Sequence, residues 1–164
     1  MAIGPVADLD LWRFLLGIDL MSSLEAWNVA PDDSILLNAL EPRRLGIGLA
    51  DALWLRVVDL PAALAQRRYA TTGRLVLDVT DEFCPWNAGR WALSVEGGMP
   101  LVERSADAPD LGCDVTDLAA AYLGAFGFAR LADAGRVREL QPGGVARADA
   151  LFRTGRPPWC PKVF

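Results

Sequence analysis

The stretch RLVLDVTDEFCPWNAGRWALSV, residues 74–95, decides the fold of this 164-residue chain. In RLVLDVTD (74–81), leucine or valine recurs at every second position, which places these side chains on one face of a strand. After the turn CPWNAGR, the stretch RWALSVEG (90–97) repeats the spacing. Two such strands joined by a turn predict an antiparallel pair with one face directed at a core.

Further elements are predicted on both sides of this pair. A Gly-Gly dipeptide leads into MPLVERS (99–105) as a hairpin partner, and ALWLRVVD (52–59) and LGCDV (111–115) are predicted strands. Asp59 and Thr116 are the expected caps of the two helices that follow these strands. The predicted helices cover residues 60–68, 116–124, 129–134 and 143–153. The sequence after its first 50 residues therefore predicts an α+β domain with a mostly antiparallel sheet and flanking helices.

The first 50 residues do not resemble a complete domain. Residues 5–23 predict a helix that is apolar on most of its sides, and such a helix needs partners on most sides. LEAWNVA (24–30) predicts a short strand, and residues 34–50 resemble a linker. We therefore expect a domain boundary that divides the chain into 1–50 and 51–164.

Composition excludes several classes of function. Histidine is absent, which removes Ser-His-Asp and Cys-His catalysis, and Cys84, Cys113 and Cys160 lack the spacing of a metal site or a disulfide framework. The net charge is −5 without a basic block, so nucleic-acid binding is not expected. No apolar stretch approaches the ~20 residues that span a bilayer. We expect a cytoplasmic protein with no metal site and no membrane association.

Three groups of side chains allow functional interpretations beside structural ones. They are the acidic pair Asp81 and Glu82 beside Cys84, the tryptophans Trp86, Trp91 and Trp159, and the aspartates Asp107, Asp110 and Asp114. A solvated turn is favoured over acid–base chemistry for the acidic pair, and core or interface packing over a ligand slot for the tryptophans. The aspartates lack the glycine and closing glutamate of a calcium loop.

The chain ends in RTGRPPWCPKVF, residues 153–164. Its three prolines restrict φ and reduce the entropy lost when the tail is held in one place. Trp159 and Phe164 are apolar groups that could fix that place. A core and an active site both remain open as the location of the last residue.

Four phrases of the sequence resemble the C-terminal domain of the Eis-type (enhanced intracellular survival) bacterial N-acetyltransferases. They are DALWLRVVDLPAALAQRRY (51–69), RLVLDVTDEFCPWNAGRWALSV (74–95), PDLGCDVTDLAAAYLG (109–124) and ARADALFRTGRPPWCPKVF (146–164). LWRFLLGIDLMSSLEAWN (11–28) resembles the end of the same family's central domain.

This resemblance implies an architecture and an activity. Family members carry two GNAT-type domains followed by a sterol-carrier-protein-like domain, acetylate amines or aminoglycosides with acetyl-coenzyme A, and commonly form hexamers. Residues 1–50 would then be the remnant helix and strand of the central GNAT-type domain, and 51–164 the sterol-carrier-protein-like domain. The implied partners are the missing N-terminal GNAT-type domains and further copies in a homo-oligomer.

The resemblance also assigns one catalytic group, the terminal α-carboxylate of Phe164, as general base in the full-length protein. The chain carries no evident acetyl-coenzyme A site, because GIGLADAL (46–53) and LQPGGVARAD (140–149) place glycines without a preceding strand. Neither Tyr69 nor Tyr122, both expected in helices, matches the family's acid tyrosine. We therefore expect the chain to be inactive alone, with a stand-alone lipid-binding or oligomerisation module as the alternative.

Overall fold

The computed structural model describes residues 4–51 and 53–162, which form two compact units. The first unit contains residues 4–54, without 52, together with the tail residues 159–162. The second unit is Leu55–Pro158.

In the first unit, helix α1 spans Pro5–Leu16 and is shorter than the predicted 5–23. Gly17 ends it, and the Gly17 amide donates to the carbonyl oxygens of Arg13 and Phe14 at 3.0 and 3.1 Å. Glycine is a poor residue for helix interiors and a common helix terminator. None of the residues of α1 is buried.

The rest of the first unit, as far as the structure describes it, consists of the short helix α2, Ile35–Asn38, one 3-10 turn, Pro42–Arg44, and irregular chain. The predicted strand over residues 24–30 is absent. Asn28 adopts a left-handed conformation with φ 57°, which interrupts an extended segment. The apolar residues of LEAWNVA thus did not make a strand here.

The second unit, which the structure describes throughout, contains a five-stranded sheet, four helices and one 3-10 turn. Its elements are α3 (Leu60–Gln66), β1 (Gly73–Thr80), a 3-10 turn (Pro85–Asn87), β2 (Gly89–Glu96), β3 (Met99–Arg104), β4 (Leu111–Asp114), α4 (Val115–Tyr122), α5 (Phe128–Asp133), β5 (Val137–Glu139) and α6 (Gly144–Phe152). The α+β class is confirmed.

The sheet is mixed, which corrects the expectation of a mostly antiparallel one. Its strand order is β3-β2-β1-β4-β5, and β1 pairs with β4 in parallel while the other neighbours are antiparallel. The connection after β3 passes beyond β1 before β4 begins. Asp110, the last residue of this connection, makes two hydrogen bonds to Val76 of β1. Its carboxylate accepts from the Val76 amide at 2.7 Å, and its own amide donates to the Val76 carbonyl at 2.8 Å.

One face of the sheet packs against the helices. The strands contribute Leu75, Leu77, Val79, Trp91, Leu93 and Val95, and the helices contribute Leu60, Leu64, Leu118, Phe128, Leu151 and Phe152. The ring of Phe152 contacts those of Phe128 and Tyr69 edge-on, with centroids 5.0 and 5.5 Å apart. Large apolar side chains therefore fill the space between sheet and helices.

Two local predictions are wrong, and one strand was not predicted. Residues 53–59 do not form a strand; the carbonyl of Val58 instead accepts side-chain bonds from Trp86 and Asn87. The cap of α4 is Asp114, whose carboxylate accepts from the Thr116 amide at 2.9 Å, rather than Thr116 itself. Strand β5 was not predicted because it has only three residues.

The hairpin between β2 and β3 is confirmed. Gly97 and Gly98 supply the two positive φ angles of the turn, 55° and 80°, as two-residue hairpin loops require. Pro100 lies in β3, the strand at one edge of the sheet.

Candidate functional site

The predicted catalytic group, the α-carboxylate of Phe164, lies outside the described residues, as does Val163. The described part of the tail runs from Arg153 to Lys162. The role of Phe164 therefore stays a prediction.

The tail begins where α6 ends, inside the second unit. The carbonyl of Phe152, the last residue of α6, accepts a hydrogen bond from the Arg67 guanidinium at 2.6 Å. The Thr154 hydroxyl then donates to the Arg156 carbonyl at 3.0 Å, which turns the chain before the half-buried Pro157 and Pro158.

The far part of the tail belongs to the first unit, where Trp159 is its anchor. The Trp159 indole N–H donates to the Asn28 side-chain oxygen at 3.0 Å. Cys160 follows, and its thiol donates to the Lys162 carbonyl at 3.3 Å. Trp159 is 36 % exposed, so it is an anchor at a surface rather than a core residue.

The acidic pair of the sequence leads to the Asp81 cluster, in which the exposed Arg56 and the buried Asn87 both contact the buried Asp81. Asp81 is 5 % exposed and Asn87 is fully buried, so the expectation of a solvated turn is wrong for Asp81. Asp81 accepts from the Asn87 amide at 3.0 Å and from the Arg56 guanidinium at 2.7 Å. Its carboxylate also accepts from the Phe83 and Cys84 amides at 3.1 and 2.9 Å.

These contacts set the protonation state of Asp81. Burial alone would raise the pKa of Asp81, but the hydrogen bonds from Asn87 and Cys84 and the charge of Arg56 outweigh burial and hold the pKa below its usual value. A carboxylate that stays ionised and has four protein donors is a structural acceptor. We assign the Asp81 cluster to fold stability rather than to acid–base catalysis.

Two shallow depressions flank the ends of β1 and β4. One, of about 180 Å³, is lined by Arg56, Asp81, Glu82, Phe83, Asp114 and Val115, and the other, of about 250 Å³, by Thr80, Gly112, Cys113, Asp114, Gly135, Arg136 and Arg138. Four of the six residues in the first lining and three of the seven in the second carry charged side chains. Such linings do not suit an apolar ligand.

The other residues singled out by the sequence have structural roles. Trp91 is buried, with its N–H bonded to the Asn87 carbonyl at 2.7 Å, whereas Trp86 is 57 % exposed. Cys84 and Cys113 are buried free thiols, and burial raises the pKa of Cys113 to about 12, so this thiol stays protonated.

The aspartates at 107, 110 and 114 bond to different partners. Asp107 pairs with Arg74, Asp110 with Arg147, and Asp114 accepts from the Thr80 hydroxyl at 3.0 Å. Within residues 4–51 and 53–162, no cluster of three acidic or thiol side chains is arranged to hold a metal ion. In the same part of the chain, no helix is long and apolar enough to cross a bilayer.

The two tyrosines are half-buried donors in the helical layer. Tyr122 ends α4, whereas Tyr69 lies outside the helices, contrary to the prediction. Their hydroxyls donate to the carbonyls of Ala63 and Leu64, each at 2.8 Å. Burial raises the pKa of Tyr69 well above its ordinary value. Both hydroxyls are engaged in linking elements of this layer.

The α6 N-terminus, where the sequence places its second Gly pair, is already occupied. The Glu139 carboxylate accepts from the Val145 amide at 3.0 Å. A Cβ at Gly144 would lie 2.7 Å from the Asp110 carbonyl oxygen. Carboxylate and carbonyl oxygens at this helix end do not fit a bound pyrophosphate.

This fold is that of a known class of domain. Residues 60–161 match the sterol carrier protein domain, and the chain belongs to that family. Several curated relatives that match this chain carry the name N-acetyltransferase. An uncharacterized N-acetyltransferase of Streptomyces avermitilis is 43 % identical over 163 residues, which is 99 % of this chain and 40 % of the relative. The N-acetyltransferase Eis of Mycobacterium tuberculosis is 33 % identical over 161 residues, 95 % of this chain and 38 % of the relative.

A solved structure is also similar to this chain over its whole length. The crystal structure of Eis1 from Mycobacterium abscessus superposes with a TM-score of 0.84 and 36 % identity, over 100 % of this chain and 41 % of that one. The chain thus spans about two fifths of the length of the relatives it matches.

Sequence reasoning missed Arg67 and Asn87. Asn87 is joined to Leu60 and Arg67 to Phe152, far apart in the sequence. No periodicity indicates such pairs. Only the spacing of Asp81 to the amides two and three residues later, typical of an Asx turn, was readable from the sequence.

Proposed function

We propose that this chain is the C-terminal part of an Eis-like, acetyl-coenzyme A-dependent N-acetyltransferase acting on amines or aminoglycoside-type substrates. Support comes from relatives called N-acetyltransferases that match 95–100 % of this chain while it spans about two fifths of them. Residues 1–50 would then complete the central GNAT-type domain, and a family-type homo-oligomer in the cytoplasm belongs to the same proposal.

The observation that carries the proposal is the bond from Trp159 to Asn28, at 3.0 Å. Asn28 lies in LWRFLLGIDLMSSLEAWN, the stretch assigned to the GNAT-type remnant. A described residue of the tail, Trp159, therefore contacts a residue assigned to the acetyltransferase part. Phe164, with the terminal carboxylate, follows Trp159 by five positions.

In the full-length enzyme, the Phe164 carboxylate would accept the proton of the attacking amine. A general base must lie within hydrogen-bond reach of that proton. A terminal carboxyl has an ordinary pKa of about 3.3 to 3.7, and burial in an apolar site would raise it toward an effective range. Acetyl-coenzyme A supplies the acetyl group. The carboxylate and carbonyl oxygens at the α6 N-terminus do not suit its pyrophosphate, and in this proposal its site lies in the remainder of the enzyme.

The test extends the full-length enzyme by one residue beyond Phe164 and compares this form with Phe164→Ala. The extension should lower kcat by about 100-fold or more, the usual contribution of a general base, with an unchanged melting temperature. Phe164→Ala keeps the carboxylate and should retain more activity. Undiminished acetyl transfer by the extended enzyme would show that the tail only packs.

The family's name raises the alternative of a stand-alone lipid carrier. A lipid carrier needs a continuous apolar cavity. Side chains such as Phe128, Leu118 and Leu151 fill the space between helices and sheet, and the two depressions are lined by charged groups. We therefore favour the acetyltransferase assignment over lipid transport.

A further inference from the structure

Arg67 is a buried cation bonded to main-chain carbonyl oxygens. It is 9 % exposed, and its guanidinium donates to the carbonyls of Tyr122 at 2.8 Å, Arg68 at 2.9 Å and Phe152 at 2.6 Å. The guanidinium carbon also lies 4.5 and 4.9 Å from the ring centres of Phe152 and Tyr69. The negative ends of the dipoles of α4 and α6 offset its charge. One side chain thus ties together the C-termini of two helices.

A second contact lies two residues further along each chain segment, between Gly124 and Thr154. Gly124, just after α4, has φ 83°, and a Cβ there would lie 2.6 Å from Cγ2 and 2.9 Å from Cβ of Thr154. Only glycine permits this approach. Thr154, so placed, bonds to Arg156 and bends the first turn of the tail.

We propose that the tail-exit cluster, formed by Arg67, Tyr122, Gly124, Phe152 and Thr154, sets the direction in which the C-terminal tail leaves α6. Gly124 and Arg67 are then positioning residues for the tail. These contacts lie at the ends of α4 and α6, so the tail starts from a fixed point. The consequence for catalysis rests on the proposed function, because only there does the tail carry the base.

Gly124→Ala tests the cluster in this chain, with Gly135→Ala as its matched control. Gly135 has a similar φ of 72°, but a Cβ added to it would meet no atom within 4 Å. Both variants therefore carry backbone strain, and only Gly124→Ala introduces a steric clash with the tail. Limited trypsin digestion followed by intact mass reports tail release at Arg153. Cleavage at Arg90, inside β2, reports global unfolding.

Gly124→Ala should speed cleavage at Arg153 about tenfold or more relative to cleavage at Arg90, because proteolysis follows local opening. Gly135→Ala should leave this ratio unchanged. Arg67→Lys, which keeps the charge but loses the planar fork, should act in the same direction as Gly124→Ala. Equal ratios in Gly124→Ala and Gly135→Ala would overturn the proposal.

The full-length enzyme separates the two proposals. With a displaced tail, Gly124→Ala should lower kcat about tenfold, with KM for the amine nearly unchanged. A released tail with wild-type kcat would leave the tail-exit cluster standing and overturn Phe164 as the base. A lowered kcat with a tail that resists trypsin as in the wild type would overturn the cluster's role.

Discussion

Replacing Asn87 by alanine should destabilise the second unit by about 3 to 5 kcal/mol. Asn87 is fully buried, and its oxygen accepts from the Leu60 amide at 2.9 Å. Leaving that amide unpaired costs about 1–3 kcal/mol, and losing the bond to the charged Asp81 about 1.5–3 kcal/mol. The bond to the Val58 carbonyl is lost as well. The loss in free energy of unfolding therefore exceeds that of an ordinary substitution at the protein surface.

Urea unfolding followed by tryptophan fluorescence is the assay, because Trp91 bonds to the Asn87 carbonyl and is buried. The matched variant is Asn87→Asp, which keeps the acceptor for Leu60 but faces Asp81 with a second carboxylate. Like charge and burial raise the pKa of such a group, so this variant should gain stability as the pH falls from 7 to 5. A loss below about 1 kcal/mol in Asn87→Ala, against the expected cost of its unpaired groups, would refute this reasoning.

Two more predictions concern the same unit. Gly144→Ala should lower stability by about 1–3 kcal/mol, the cost of overpacking, since its Cβ would lie 2.7 Å from the Asp110 carbonyl oxygen; a urea midpoint equal to that of the wild type would contradict this. The pKa of Asp81 is lowered on folding, so its stabilising contribution is present above its usual value of 3.8 and is lost as the pH falls through the folded value. Asp81→Asn should therefore have a lower free energy of unfolding at pH 7, and this free energy should fall less steeply with decreasing pH than in the wild type. An equally steep fall would show that other groups cause acid unfolding.

The elements that the sequence predicted well are those whose signals are local. The alternation in β1 and β2, the Gly-Gly turn and the Asp59 cap each depend on a few neighbouring residues, and each was found where expected. The strand predicted at 24–30 and the described part, 53–59, of the strand predicted at 52–59 failed for the opposite reason. Strand propensity needs a partner strand, and no local pattern supplies one.

In the candidate site, too, local features were predictable from the sequence and long-range contacts were not. The tail's importance and its candidate anchor Trp159 were readable from the prolines and aromatic residues. The partner of Trp159 was not, because Asn28 lies 131 residues away. The parallel pairing of β1 with β4 was hidden too. It depends on the path of residues 105–110, which carries no periodic signal. Tertiary pairing between distant residues decided each of these features.

Pro100 in the outer strand β3 has a consequence for assembly. In the hairpin register, Glu96 faces Met99 and Val95 faces Pro100, so the main-chain groups of Pro100 point to the free edge. A proline there offers no N–H to another strand, and the opposite edge, β5, has only three residues. Copies of this domain therefore cannot readily continue the sheet from one molecule to the next, and any symmetric assembly has to be built from side-chain surfaces.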